Sequence, residues 1–169
     1  QEEAVTLADR MALLRDGRPV VGAVYDAARG RLYEAEAGRG ARRDGRRIRV
    51  SPLAIGKSLV ATGFYYDRGL LLRTNLGIIG KVLPKAQGIR RGGSAALDLC
   101  QVADGTFCGY WELNVKPWDV AAGVLLAREA GGTARYVRAR VGGRHVGLVI
   151  AGNGVSERTM LSAIRSCGV

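Results

Sequence analysis

The 169-residue chain is 47% hydrophobic and 24% charged, enough apolar content for a packed core and too much for a wholly disordered tail. It has no apolar run of about 18 residues, and its opening QEEAVTLADR lacks the basic-then-apolar layout of a secretory leader, so one cytoplasmic domain over residues 1–169 is expected. Lysine and arginine outnumber aspartate and glutamate 26 to 15, a formal charge of +11 that suits nucleic acid, an anionic surface or an anionic small substrate.

Residues 10–37 read as strands joined by turns. MALLRD runs into Asp16-Gly17, a hairpin signal, and then into the β-branched PVVGAVYD. AARG turns the chain again, and RLYEAEA alternates apolar with polar. Gly38 and Gly40 open an arginine-rich loop, RGARRDGRRIR (39–49), in which six arginines face the single acid Asp44. The opening third is therefore an antiparallel meander. KSLVATG (57–63) is a short buried strand. The stretch Phe64 to Leu83 has the leucines and isoleucines of a helix but three interrupting glycines, and its type stays open. GIRRGGS bends the chain into the helix SAALDLCQVA (94–103), whose Ala95, Leu99 and Val102 fall at i, i+4, i+7. TFCGYWE is a strand. Pro117 opens a helix with Trp118, Ala121, Ala122, Leu125 and Leu126 along one buried face, ended by Gly131-Gly132. TARYV and VGLVIAG (146–152) are strands, and VSERTMLSAIR (155–165) is a closing helix capped at Ser156 or its neighbour. The order is that of a layered α/β sandwich, a meander followed by alternating strands and helices.

The residue inventory excludes much chemistry. Cys100, Cys108 and Cys167 are an odd set without a C-x-x-C pair, and buried thiols are the plain reading. His145 is the one histidine, so neither a zinc cluster nor a Ser-His-Asp triad is well served. Asp119 stands in the first turn of its helix, where a carboxylate either caps the helix or projects toward a cation. Ala121, Ala122 and Gly123 leave room for a close-approaching ligand there, and Glu112 ends a strand seven residues earlier. Gly92-Gly93-Ser94-Ala95-Ala96 is a glycine bend feeding a helix N-terminus, suited to an anion or a polyol hydroxyl. The arginines of 39–49, with Arg135, Arg138, Arg140 and Arg144, form either solvated faces or a nucleic-acid site.

Together the run WDVAAG (118–123) with EAGG (129–132), the stretch GIRRGGSAALDLC (88–100) and LVATGFYYDR (59–68) resemble the inositol monophosphatase family in its bacterial form. The likeness extends over roughly residues 10–166 and takes in strands 19–51. It implies a sugar-phosphatase fold and a Mg²⁺-dependent phosphomonoesterase, commonly dimeric, acting on inositol 1-phosphate or a related sugar phosphate. It also implies that Asp119 is a metal ligand, that Glu112 contacts substrate hydroxyls, and that Gly93, Ser94 and Ala95 lie against the substrate ring. Histidinol phosphate, fructose bisphosphate and adenosine bisphosphate remain open as substrates.

The sequence departs from that family in lacking its Asp-Pro-x-Asp-Gly-Thr motif, which supplies most metal ligands; Asp104-Gly105-Thr106 has no Asp-Pro before it. Glu2-Glu3 resemble the family's Glu-Glu element only weakly. The chain reads as the C-terminal two-thirds of such an enzyme, with its own activity in doubt and an apolar strand face around Val20–Val24 in need of a partner. A non-catalytic remnant binding RNA or an acidic protein through Arg39–Arg49 is the alternative.

Overall fold

The computed structural model describes residues 8–66 and 69–169. Strands β1 (Ala8–Arg15), β2 (Arg18–Asp26), β3 (Arg31–Glu36), β4 (Gly40–Arg43) and β5 (Arg46–Arg47) form a sheet in chain order, every pair antiparallel. The meander is as expected. At Asp16-Gly17 both residues have positive φ, 50° and 72°, the conformation that a two-residue turn between right-twisted strands requires.

The rest of the chain builds a second sheet. It comprises β6 (Leu59–Thr62), β7 (Gly88–Arg90), β8 (Gly109–Leu113), β9 (Thr133–Val141) and β10 (Arg144–Gly152), in the order β7-β6-β8-β10-β9. β6 runs parallel to β7 and β8, while β8, β10 and β9 are antiparallel. Four helices accompany it among the described residues: α1 (Leu70–Val82), α2 (Ala95–Ala103), α3 (Pro117–Glu129) and α4 (Val155–Arg165).

Three apolar clusters define the layers. Val24, Tyr33 and Ala41 of the first sheet pack on Ala96, Cys100, Ala122 and Leu126 of α2 and α3. Leu99, Val102, Val120 and Val124 from the same two helices pack on Ala61, Tyr110 and Val149 of the second sheet. Beyond that sheet, Trp111, Leu148 and Ile150 meet Ile78 and Val82 of α1 and Met160 and Ile164 of α4. The order is sheet, helix pair, sheet, helix pair. Tyr110 and Trp111 follow the two-residue period of a strand and so serve the clusters on opposite sides of β8.

Several expectations are corrected. The arginine-rich segment 39–49 is not a loop: β4 and β5 pair across it around Asp44-Gly45, which repeats the positive-φ turn of the first hairpin. Residues 70–82 are helical despite their glycines, because Leu71, Asn75, Ile78 and Val82 return to one buried side. GIRRGGS contains a strand, β7, as well as a bend. α3 is buried nearly all round, since it lies between two sheets, and Trp118 is 69% exposed rather than part of a buried face. The small residues of α3 serve packing: a Cβ on Gly123 would lie 2.6 Å from the Leu99 Cβ, and one on Gly22 3.0 Å from the Ala122 Cα. Helix α4 is capped by the Asn153 side chain, which accepts from the Ser156 N–H at 3.0 Å; Ser156 itself is buried.

The apolar face expected around Val20–Val24 divides by strand alternation. Gly22 and Val24 turn inward under α2 and α3. On the other face, the pairs Met11–Ala23, Leu13–Val21 and Tyr25–Leu32 stand together, with Met11 60% and Leu13 56% exposed. A depression of about 400 Å³ lies on this face, bordered by Val21, Ala23, Glu34, Glu36, Arg39 and Arg42. No helix among the described residues is long and apolar enough to cross a membrane.

Candidate functional site

The residues singled out in the sequence lie at the start of α2, on β8 and in the first turn of α3. At the start of α2, Gly93 has φ +91° and turns the chain so that Ser94 becomes the N-cap, its Oγ accepting from the Leu97 N–H at 3.4 Å. The bend Gly92–Gly93 is exposed, and Ser94 and Ala95 are half-buried. The first amides of a helix have no partner within it, so the bend offers donors to an incoming acceptor.

Glu112 is held on β8, half-buried, with Oε2 accepting from the Tyr110 hydroxyl. Its carboxylate lies directly over Gly63 at the end of β6, where any Cβ would collide with it. Gly63 is fixed in turn: its carbonyl accepts from Asn75 Nδ2 at 2.9 Å, and Asn75 Oδ1 accepts from Trp111 Nε1 at 2.9 Å. Burial raises the pKa of Glu112, opposed by the Tyr110 hydrogen bond and by Arg91, and reinforced by Asp119.

A carboxylate missed in the sequence lies beneath the bend. Asp98 of α2 is 1% exposed, both its oxygens lack a hydrogen-bond partner, and it abuts Gly92. Burial, and then the neighbouring Glu112, push its pKa up to about 7, while Arg91 pulls the other way. A signal was present: Asp98 falls three residues after Ala95 and four before Val102, inside the apolar stripe.

Asp119 does not stand free. Oδ1 accepts from Arg10 Nη2 at 2.6 Å, and Oδ2 accepts from the Lys116 backbone N–H at 3.4 Å. It thus closes the start of α3 as a helix cap and pairs with a cation on β1. Asp119 is near enough to Glu112 for its charge to raise the Glu112 pKa. Glu2 and Glu3 lie outside the described residues, as does Asp67.

The Mg²⁺ that the family resemblance implies finds a poor donor set here. Among the described residues no group of three or more His, Cys, Asp or Glu side chains could hold a metal ion. Mg²⁺ demands near-octahedral oxygen ligation. Asp119, the one expected ligand, already has both oxygens engaged. These residues do not make a magnesium site by themselves.

Other signature residues are architectural. Glu129, of the EAGG run, accepts from the backbone N–H groups of Gly38 and Gly40 at 2.9 and 2.8 Å, tying α3 to the first sheet. Asp104 of the Asp-Gly-Thr tripeptide accepts from Arg43 at 2.7 Å and from the Tyr33 hydroxyl at 3.0 Å. Burial and Asp104 together raise the Tyr33 pKa to about 12. The tripeptide is a structural turn.

Comparison with known proteins agrees with this layout. The family model described as the inositol monophosphatase family matches residues 7–168. An inositol-1-monophosphatase of Synechocystis is 39% identical over 155 residues, covering 91% of this chain and 54% of that protein. A protein named Nus factor SuhB from Salmonella typhimurium is 40% identical over 166 residues, covering 96% and 60%. The structure of inositol monophosphatase from Anabaena superposes with a TM-score of 0.82 at 39% identity, over 93% of this chain and 63% of that one. The chain thus spans between 54% and 60% of the length of these two curated relatives. A match over nearly all of its residues, joined to the same layered fold, means that the chain belongs to the inositol monophosphatase family.

Proposed function

We propose that the chain binds a phosphate monoester of a polyol, inositol 1-phosphate or a related sugar phosphate, and forms the substrate-holding portion of a phosphomonoesterase. What carries this reading is the charge neighbourhood that Glu112 shares with Asp119 and Arg91, together with the closeness of Arg91 to the Gly93 bend. Glu112 accepts from ring hydroxyls, since an ionised carboxylate is acceptor-only and its second oxygen is left by the Tyr110 bond. Gly93, Ser94 and Ala95 give the ring a flat bed with backbone donors. Hydrolysis of the kind the family performs, with Mg²⁺ assistance, requires metal ligands beyond the described residues, and Asp119 is the one this chain would add.

Mg²⁺-dependent phosphate release from inositol 1-phosphate tests the proposal, with Asp119→Asn and Glu112→Gln alongside. The expected result is saturable binding of the ester, weakened in Glu112→Gln, and release at the buffer rate. Turnover that disappears in Asp119→Asn would mean that the missing ligands are replaced. Failure to bind the ester would overturn the reading.

A second reading rests on the β4–β5 hairpin. Arg42, Arg46, Arg47 and Arg49 are exposed there, and Arg39 and Arg43 already pair with Glu36 and Asp104. This hairpin is a docking surface for nucleic acid or an acidic protein, in keeping with the relative named a Nus factor. The exposed apolar face of the first sheet supports pairing with a second copy, the dimer expected from the resemblance.

A further inference from the structure

The cation that Asp119 holds in the folded chain is a guanidinium. In β1, Arg10 pairs with Val24 and Ala12 with Gly22, which puts Arg10 on the inner face of the sheet. From there the side chain reaches across 109 residues of sequence to the start of α3. Nη2 donates to Asp119 Oδ1 at 2.6 Å and Nε donates to the Trp118 carbonyl at 3.4 Å, so the guanidinium plane is fixed at two points. Arg10 and Asp119 keep 32% and 34% of their side chains exposed, so the pair is open to a ligand on one side.

An arginine carries five N–H donors and never loses its charge at neutral pH. Two nitrogens are engaged here, and the donors left over suit the oxygens of a phosphate, which guanidinium groups bind through paired hydrogen bonds. A divalent ion at the same carboxylate would meet a fixed positive charge at bonding distance and would have to evict it. Arg91 adds a second guanidinium to the neighbourhood, its Nη1 only 3.4 Å from where a Cβ on Gly93 would stand.

We infer that Arg10 is the resident cation of this site: paired with Asp119, it supplies the positive charge that draws in the phosphate of a monoester, and a divalent metal reaches Asp119 only by displacing it. The inference rests on the proposed phosphate-ester site, and its test separates the two.

Calorimetric titration of the full chain with inositol 1-phosphate, in excess EDTA and in excess Mg²⁺, is the first arm. Water-proton relaxation with Mn²⁺ is the second, and both are run on Arg10→Gln, Arg10→Lys and Asp119→Asn with circular dichroism as the check on folding. The ester should bind equally with and without metal, about tenfold more weakly in Arg10→Gln, as loss of a charged hydrogen bond predicts, and close to normally in Arg10→Lys. Mn²⁺ should bind better to Arg10→Gln than to the unchanged chain. Ester binding that requires Mg²⁺, or a Mn²⁺ site in the unchanged chain that Asp119→Asn removes, overturns the inference. If Arg10→Gln does not fold, the EDTA comparison on the unchanged chain decides. No ester binding in either condition defeats the phosphate-ester reading and the ester half of this one, while the Mn²⁺ comparison still decides whether Arg10 excludes metal.

Discussion

Replacing Asp98 by asparagine should stabilise the chain at alkaline pH and flatten its stability profile. The carboxyl is buried under the Gly92 bend without a hydrogen-bond partner, and its pKa rises from 3.8 to about 7. A raised acid pKa means that the folded state keeps a proton the unfolded state has released. Stability from this group is therefore complete below the unfolded value, near 4, and is lost as pH climbs through about 7. The shift of about three units corresponds to about 4 kcal/mol at high pH, at 1.36 kcal/mol per unit. Between pH 5 and pH 8 roughly 2–3 kcal/mol of this is lost, because some of the penalty is already present at pH 5. Asparagine has nearly the same shape and cannot ionise. Urea unfolding of both proteins at pH 5, 6, 7 and 8 measures the difference directly. The gap should widen with pH by roughly 2–3 kcal/mol. Parallel profiles would refute the argument and mean that Asp98 is ionised and solvated in the folded chain.

Two further outcomes follow from packing and charge. Gly123→Ala drives a methyl against Leu99, 2.6 Å away, and should cost about 1–3 kcal/mol, read as a melting temperature lower by several degrees; an unchanged melting point would mean that α2 and α3 are less closely packed. Substituting glutamine for Arg42, Arg46 and Arg47 together should reduce the slope of log affinity for single-stranded nucleic acid against log salt by about 2, measured by fluorescence anisotropy. A slope unaltered by these changes places the basic contact elsewhere.

The parts of the fold that sequence revealed are those set by neighbours in the chain. Asp16-Gly17 declares a turn because few residues accept two successive positive φ angles. The stripe of Ala95, Leu99 and Val102 declares α2 because a helix repeats its faces locally. The β4–β5 pairing was hidden because arginines have no strand signature; the hairpin is held instead by Arg43 on Asp104 and by Glu129 on Gly38 and Gly40, groups from α3 and the end of α2. The periodicity of α3 misled for a similar reason. A helix between two sheets is apolar on every side, and Trp118, which the spacing points inward, projects from the end instead. The family motif singles out Asp119, yet nothing local shows that Asp119 is already satisfied, because its partner Arg10 lies on the first strand.

The placement of α2 and α3 between the sheets governs how the chain comes apart. Leu125 and Leu126 help to close the cluster with the first sheet, and Val120 and Val124 of the same helix close the cluster with the second. Neither sheet can keep a dry inner face once α3 leaves, so the amides in the middle of α3 should exchange with deuterium only through opening of the whole molecule. Helices α1 and α4 cover one side of one sheet and can lift away while the two inner clusters persist. Exchange should therefore proceed from the outer helix layer inward, with α3 among the last segments to label.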